Sequence, residues 1–175
     1  MDIDIIFDKL KRYNLEGFSH TDFGLIGHLK GTYEILKNWK CSDELCMAGL
    51  CHSIYGTESY RKDPIDLSER DNIRSIIGEE SERIAYLFGA HVKDSLWENL
   101  DRVENFRIFD RLESKEVSIE RRDLQDLITL TLANWLEQRP RAPEEYKFIR
   151  KNEFLRSEDY LPKAGHEAFK VAYQC

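Results

Sequence analysis

Residues 44–57 read ELCMAGLCHSIYGT. Leu45, Cys46, Met47, Ala48, Leu50 and Cys51 put apolar groups nearly all the way round a helix. A helix of that kind belongs at the centre of a fold, enclosed by others. Ser42 and Asp43 stand just before it, where a short oxygen-bearing side chain can cap the first turn. The stretch therefore predicts a central helix from about residue 43 to residue 53, ending on His52 and Ser53. Tyr55 follows, and residues 56–66, GTESYRKDPID, read as loop.

On the N-terminal side, residues 2–14 carry Ile3, Ile6, Phe7 and Leu10 on one helical face. Ser19, Thr21 and Asp22 are N-cap candidates for a helix of about 22–39. Its stripe is Leu25, Leu29, Thr32, Leu36 and Trp39, with His28 beside it. Gly24, Gly27 and Gly31 would allow another backbone to come close. On the C-terminal side a helix starts at Ser68 and is interrupted near Gly78. EESERIAYLFGAHV continues as a further helix. FRIFDRLESKEVSIE alternates on both sides of ESK, the pattern of a β-hairpin. Residues 122–138 read as a strong helix with Leu124, Leu127, Ile128, Leu130, Thr131, Asn134 and Trp135 on or beside one face. Pro140 and Pro143 end it, and one or two short helices complete the chain. The expected fold is mostly α, with one small hairpin near residues 106–120.

The chain of 175 residues is long enough for one domain with a sizeable core. Its 26 basic and 33 acidic residues give a net charge of −7. That balance excludes the electrostatic footprint of a nucleic-acid binder and disfavours docking on anionic membranes. No apolar run approaches the ~20 residues of a spanning helix. The opening MDIDIIFDKLKR is acidic and lacks a signal-peptide core, so the expected location is the cytoplasm. Cys41, Cys46, Cys51 and Cys175 form no CxxC pair, and reduced core or surface thiols are expected.

Polar residues at core positions carry the functional signal. His28 and His52 sit in or at the end of helices that look central, and two facing imidazoles are half of a tetrahedral metal site. A lone histidine on an apolar face is most often a hydrogen-bonded core residue; a pair on adjacent helices shifts that balance. Asn134 is a third anomaly, because a buried amide needs partners on both its donor and acceptor sides. His91 and His166 are expected at the surface, and Trp39, Trp97 and Trp135 in or at the edge of the core.

The order of these residues resembles the HD-domain superfamily of metal-dependent phosphohydrolases, whose pattern is His, then His-Asp, then a distant Asp. The resemblance is closest to the RelA/SpoT-type hydrolase domain, which removes pyrophosphate from guanosine tetraphosphate. HLKGTYEIL, AGLCHSIYGT, IIGEESERIAYLFGA and TLANWLEQ fall in order on its motifs, over about residues 20–138. The chain also resembles a set of uncharacterised HD-like proteins sharing the HLxGT and AGLxHSxYGT segments. The resemblance implies an HD-like helical bundle formed as one domain over 1–175.

The departures from that pattern shape the functional expectation. Ser53 replaces the aspartate of His-Asp, Asn134 replaces the distant aspartate, and Gly56-Thr57 replace a Glu-Asp pair. Every motif carboxylate is gone. Manganese and magnesium prefer anionic oxygen ligands, so manganese-dependent hydrolysis of guanosine tetraphosphate is not expected. A softer ion, zinc, iron or copper, could still use His28 and His52, with His20 as a third ligand. Without a metal, His28 or His52 could serve as a general base. Ser53, Tyr55, Thr57 and Asn134 would then position a small-molecule substrate, and Glu82 is the best replacement carboxylate. The implied activity is a divergent hydrolase or oxygenase. The alternative is a non-catalytic metabolite-binding domain with the same pocket and no metal.

Overall fold

The structure, a computed structural model, describes residues 3–10, 13, 23–61 and 65–175. His20 and the cap candidates Ser19, Thr21 and Asp22 lie outside the described residues. Helix α1 (Ile3–Leu10) buries Ile6, Phe7 and Leu10, the face its spacing predicts. Helix α2 (Phe23–Asn38) buries Leu29, Thr32 and Leu36. Helix α3 (Asp43–Cys51) is capped by Ser42, whose hydroxyl accepts from the Leu45 amide at 3.1 Å. Every residue from Leu45 to Cys51 is buried.

Helix α4 (Arg70–Ile77) is preceded by a 3-10 turn at Leu67–Glu69, which the Asp66 side chain caps. Gly78 has φ of +90°, a value that L side chains rarely adopt, and it separates α4 from α5 (Glu79–Ala90). Helix α6 (Lys93–Trp97) is too short for its period to show in sequence. Strands β1 (Arg107–Asp110) and β2 (Lys115–Ser118) pair antiparallel, with Ile108 opposite Val117. Helix α7 (Arg121–Gln138) opens on a capping box formed by Glu120 and Asp123. Helices α8 (Lys151–Arg156) and α9 (Lys163–Tyr173) end the chain.

The fold is mostly α with one small hairpin. Its centre is α3, packed on α2, α5 and α7, while α2 also lies along α7. Leu50, Cys51, Ile54, Leu124, Ile128 and Leu132 meet in this core. Gly49 lets α2 approach: a Cβ there would stand 2.4 Å from Leu36 Cδ1. The hairpin packs against α5 and α6, and α9 against α7. No described helix is long and apolar enough to cross a membrane. The four cysteines are free thiols; burial pushes those of Cys46 and Cys51 up to about 12, which leaves them unreactive.

One surface expectation is overturned. His91 is 4 % exposed, its Nδ1 donates to the Leu87 carbonyl at 3.1 Å, and its ring lies against Phe88. It caps α5, and the apolar run before it carries it into the core. His166 is half-buried beside Glu158.

Candidate functional site

Three elements bring three polar side chains to one point. His28 comes from the second turn of α2, His52 from the residue that ends α3, and Asn134 from the last third of α7. His28 Nε2 lies 3.2 Å from His52 Nε2 and 2.9 Å from Asn134 Oδ1. The two rings stand perpendicular with centroids 5.1 Å apart, and Phe88 of α5 closes over His52 from another side. Thr32 ties its hydroxyl to the His28 carbonyl at 3.0 Å.

The hydrogen bonds behind these atoms determine what each presents. His52 Nδ1 is 2.7 Å from the Gly49 carbonyl, an acceptor only, so Nδ1 carries the proton. Burial, then the neighbouring His28, pushes the His52 imidazole down to about 4. At neutral pH its Nε2 is therefore a bare lone pair. A base that weak is a poor proton acceptor in catalysis, but a neutral imidazole is a good ligand. The Gln138 amide nitrogen donates to both the main-chain carbonyl of Asn134, at 3.2 Å, and its side-chain oxygen, at 3.1 Å. The Asn134 atom facing the histidines is thus its oxygen. His28 Nδ1 meets the Glu137 carboxylate, and Arg141 grips that carboxylate through both oxygens, at 2.8 and 2.7 Å. Burial raises the Glu137 carboxyl, but Arg141 and His28 outweigh it and hold the group below its ordinary value. Glu137 is an anion, and His28 Nδ1 is the donor.

Both histidines thus turn a protonated Nδ1 outward onto an acceptor and an Nε2 inward. His52 Nε2 and Asn134 Oδ1 are both acceptors, and His28 Nε2 stands within 3.2 and 2.9 Å of them. A positive charge at that point, either a proton on His28 Nε2 or a metal ion, would satisfy both.

Glu137 is the residue that reading the sequence overlooked. The motif carboxylates are indeed absent, but the site is not free of negative charge. The signal was present in ANWLEQ: Glu137 is three residues after Asn134 and so shares its helix face.

The other sequence candidates are placed elsewhere. Glu82 is fully buried on α5 and touches neither histidine. Its carboxylate accepts from Tyr55 Oη at 2.7 Å, from Arg70 Nε at 2.7 Å and from Arg74 Nε at 3.0 Å. Burial raises that carboxyl, and the two arginines with Tyr55 more than reverse the effect. Tyr55 is 1 % exposed, so its hydroxyl is committed to Glu82. The Thr57 hydroxyl accepts from the Tyr60 amide at 3.0 Å and shapes the loop. Ser53 is buried next to His52.

His28 reaches a surface groove of about 520 Å³, walled by Tyr60, Trp135, Gln138, Arg141 and Tyr146 among others. His52 lies behind it, 2 % exposed. Among the described residues no group of three or more His, Cys, Asp or Glu side chains is placed to hold a metal ion; the third donor here is an amide oxygen.

Residues 9–93 match the family model of a domain of unknown function (DUF6817). The match spans α2 to α5, with His28 and His52, and stops before α7, with Asn134 and Glu137. No curated protein matches the chain, and no solved structure matches it.

Proposed function

We propose that the chain is a small-molecule enzyme of HD-like type, divergent from the manganese hydrolases, whose site uses a transition-metal ion held by His28, His52 and Asn134. The convergence of two imidazole nitrogens and an amide oxygen carries this reading. Two donors bound at about 2.0–2.1 Å to one tetrahedral ion stand about 3.3 Å apart, and the two Nε2 atoms are 3.2 Å apart. Each ring also donates its remaining N–H to a carboxylate or main-chain carbonyl, the usual support of a metal-bound histidine. With two imidazoles and a neutral oxygen the donor set suits zinc, iron or copper and suits magnesium and manganese poorly. Zinc would supply Lewis-acid chemistry and iron or copper redox chemistry, so both hydrolase and oxygenase types are compatible with these donors. The groove beside His28 has the volume of a small-molecule site, and its tyrosines and Trp135 offer flat apolar walls.

The test is elemental analysis of untagged protein purified without added metal. Near-stoichiometric zinc, iron or copper is expected, and it should be lost in a His28→Ala, His52→Ala double variant that still folds. Protein free of metal, with no rise in melting temperature on adding Zn²⁺ or Fe²⁺, would overturn the reading. The 2.9 Å contact between His28 and Asn134 could close the cluster around a proton instead. That outcome would favour the metabolite-binding domain.

A further inference from the structure

We propose that Glu137 is the positioning residue of this site, and that Gly31 is a glycine to make room for it. The proposal rests on the metal-site reading and adds to it the group that orients one ligand. Glu137 reaches His28 from α7, and its side chain is 11 % exposed against 13 % for His28. Three independent contacts decide where its carboxylate sits.

First, the Nδ1–H of His28 points at Glu137 Oε2. An imidazole whose Nδ1 proton is held by an anion keeps its lone pair on Nε2, which is the atom facing His52 and Asn134. Second, Arg141, in the 3-10 turn that follows α7, takes no rival role in the cluster. It bonds both Glu137 oxygens and is itself largely exposed on the groove wall. An ordinary i,i+4 surface pair would extend into solvent; this one is drawn inward by His28. Third, a Cβ on Gly31 would stand 2.7 Å from Glu137 Cγ and 3.2 Å from Oε1. Gly31 is three residues after His28 on the same face of α2. The glycine of HLKGT therefore does not admit a neighbouring backbone, as its spacing suggests; it admits the stem of Glu137. A Cβ there would force the Glu137 stem to shift.

The consequence is electrostatic as well as steric. Two imidazoles and an amide oxygen bring no negative charge, so a divalent ion among them would gain no charge compensation from its own ligands. Glu137 supplies one negative charge through the imidazole, without occupying a ligand position and without exposing a hard anionic oxygen to the ion. It makes His28 a stronger donor while preserving the neutral donor set.

The experiment uses the full chain as wild type, Glu137→Gln, Glu137→Ala and Gly31→Ala, each checked for folding by thermal melt. Co²⁺ is the probe, read by its visible absorption. Nitrogen-15 NMR of the metal-free protein reports which ring nitrogen of His28 carries the proton. Wild type should show His28 protonated on Nδ1. Glu137→Ala should lose that preference and bind Co²⁺ about 10- to 100-fold more weakly. Glu137→Gln, which keeps an acceptor but no charge, should retain the Nδ1 proton and fall between the two in affinity. Gly31→Ala should follow Glu137→Ala. A folded Glu137→Ala that keeps both the proton placement and the wild-type Co²⁺ affinity would overturn the proposal. If wild type binds no Co²⁺, the metal reading fails. The NMR result then decides Glu137 alone: an Nδ1 proton lost in Glu137→Ala supports its role, and an unchanged ring refutes it.

Discussion

Glu82 and Glu137 show how alike two carboxylates can look in sequence and how differently a fold can use them. Each lies on a helix within reach of an arginine. Glu82 is enclosed by Tyr55, Arg70 and Arg74, and Arg70 is stacked 3.6 Å over the Tyr86 ring, so no surface is left for a ligand. Removing one partner of a buried ion pair leaves the others unpaired and costs about 3 kcal/mol. Glu82→Ala should therefore lower the unfolding free energy from denaturant titration by that order while leaving the Co²⁺ affinity of the folded fraction unchanged. A stable Glu82→Ala with weakened metal binding would return this residue to the site. Glu137 behaves in the opposite way because one of its partners, His28, also faces the cluster and the groove.

The helices set the spacing of the site, and α3 matters most. Its apolar circumference puts it against α2, α5 and α7 together, so His52 at its end is carried to the meeting point of α2 and α7. The closeness of α2 and α3 depends on Gly49, where Leu36 Cδ1 fills the space of a missing Cβ. Leu36 is fully buried and has little freedom to withdraw. Gly49→Ala should cost about 1–3 kcal/mol through overpacking. Adding Leu36→Val should return part of that loss, a non-additivity that chemical denaturation of the single and double variants would reveal. Strictly additive losses would mean that Leu36 does not pack against Gly49.

Across the molecule, burying neutral histidines makes stability depend on pH. Burial pushes His91 down to about 4 from an ordinary 6.5, against the opposing pull of its own hydrogen bonds to the backbone and of Glu58. The folded chain disfavours the protonated ring, so as pH falls the unfolded chain takes up the proton first. Stability is complete above about pH 6.5 and declines toward pH 4 at up to about 1.4 kcal/mol per pH unit for this one residue. His91→Asn keeps a donor for the Leu87 carbonyl and cannot titrate. Its unfolding free energy should fall less than that of wild type between pH 7 and pH 4.5, and equal slopes would count against a buried neutral ring. Much of this architecture is local and therefore legible in the chain. The periods of α1, α2, α3 and α7, the break at Gly78 and the alternation on either side of the hairpin turn all follow from short-range patterning. His28, His52 and Asn134 stood out because polar groups on apolar faces need a reason. The burial of His91, the withdrawal of Glu82 into an arginine cluster and the reach of Glu137 past Gly31 to His28 were decided only in three dimensions. Each depends on how two helices are rotated and offset against one another. A 3.6-residue period identifies which residues share a face, but it does not specify which face of another helix they will meet.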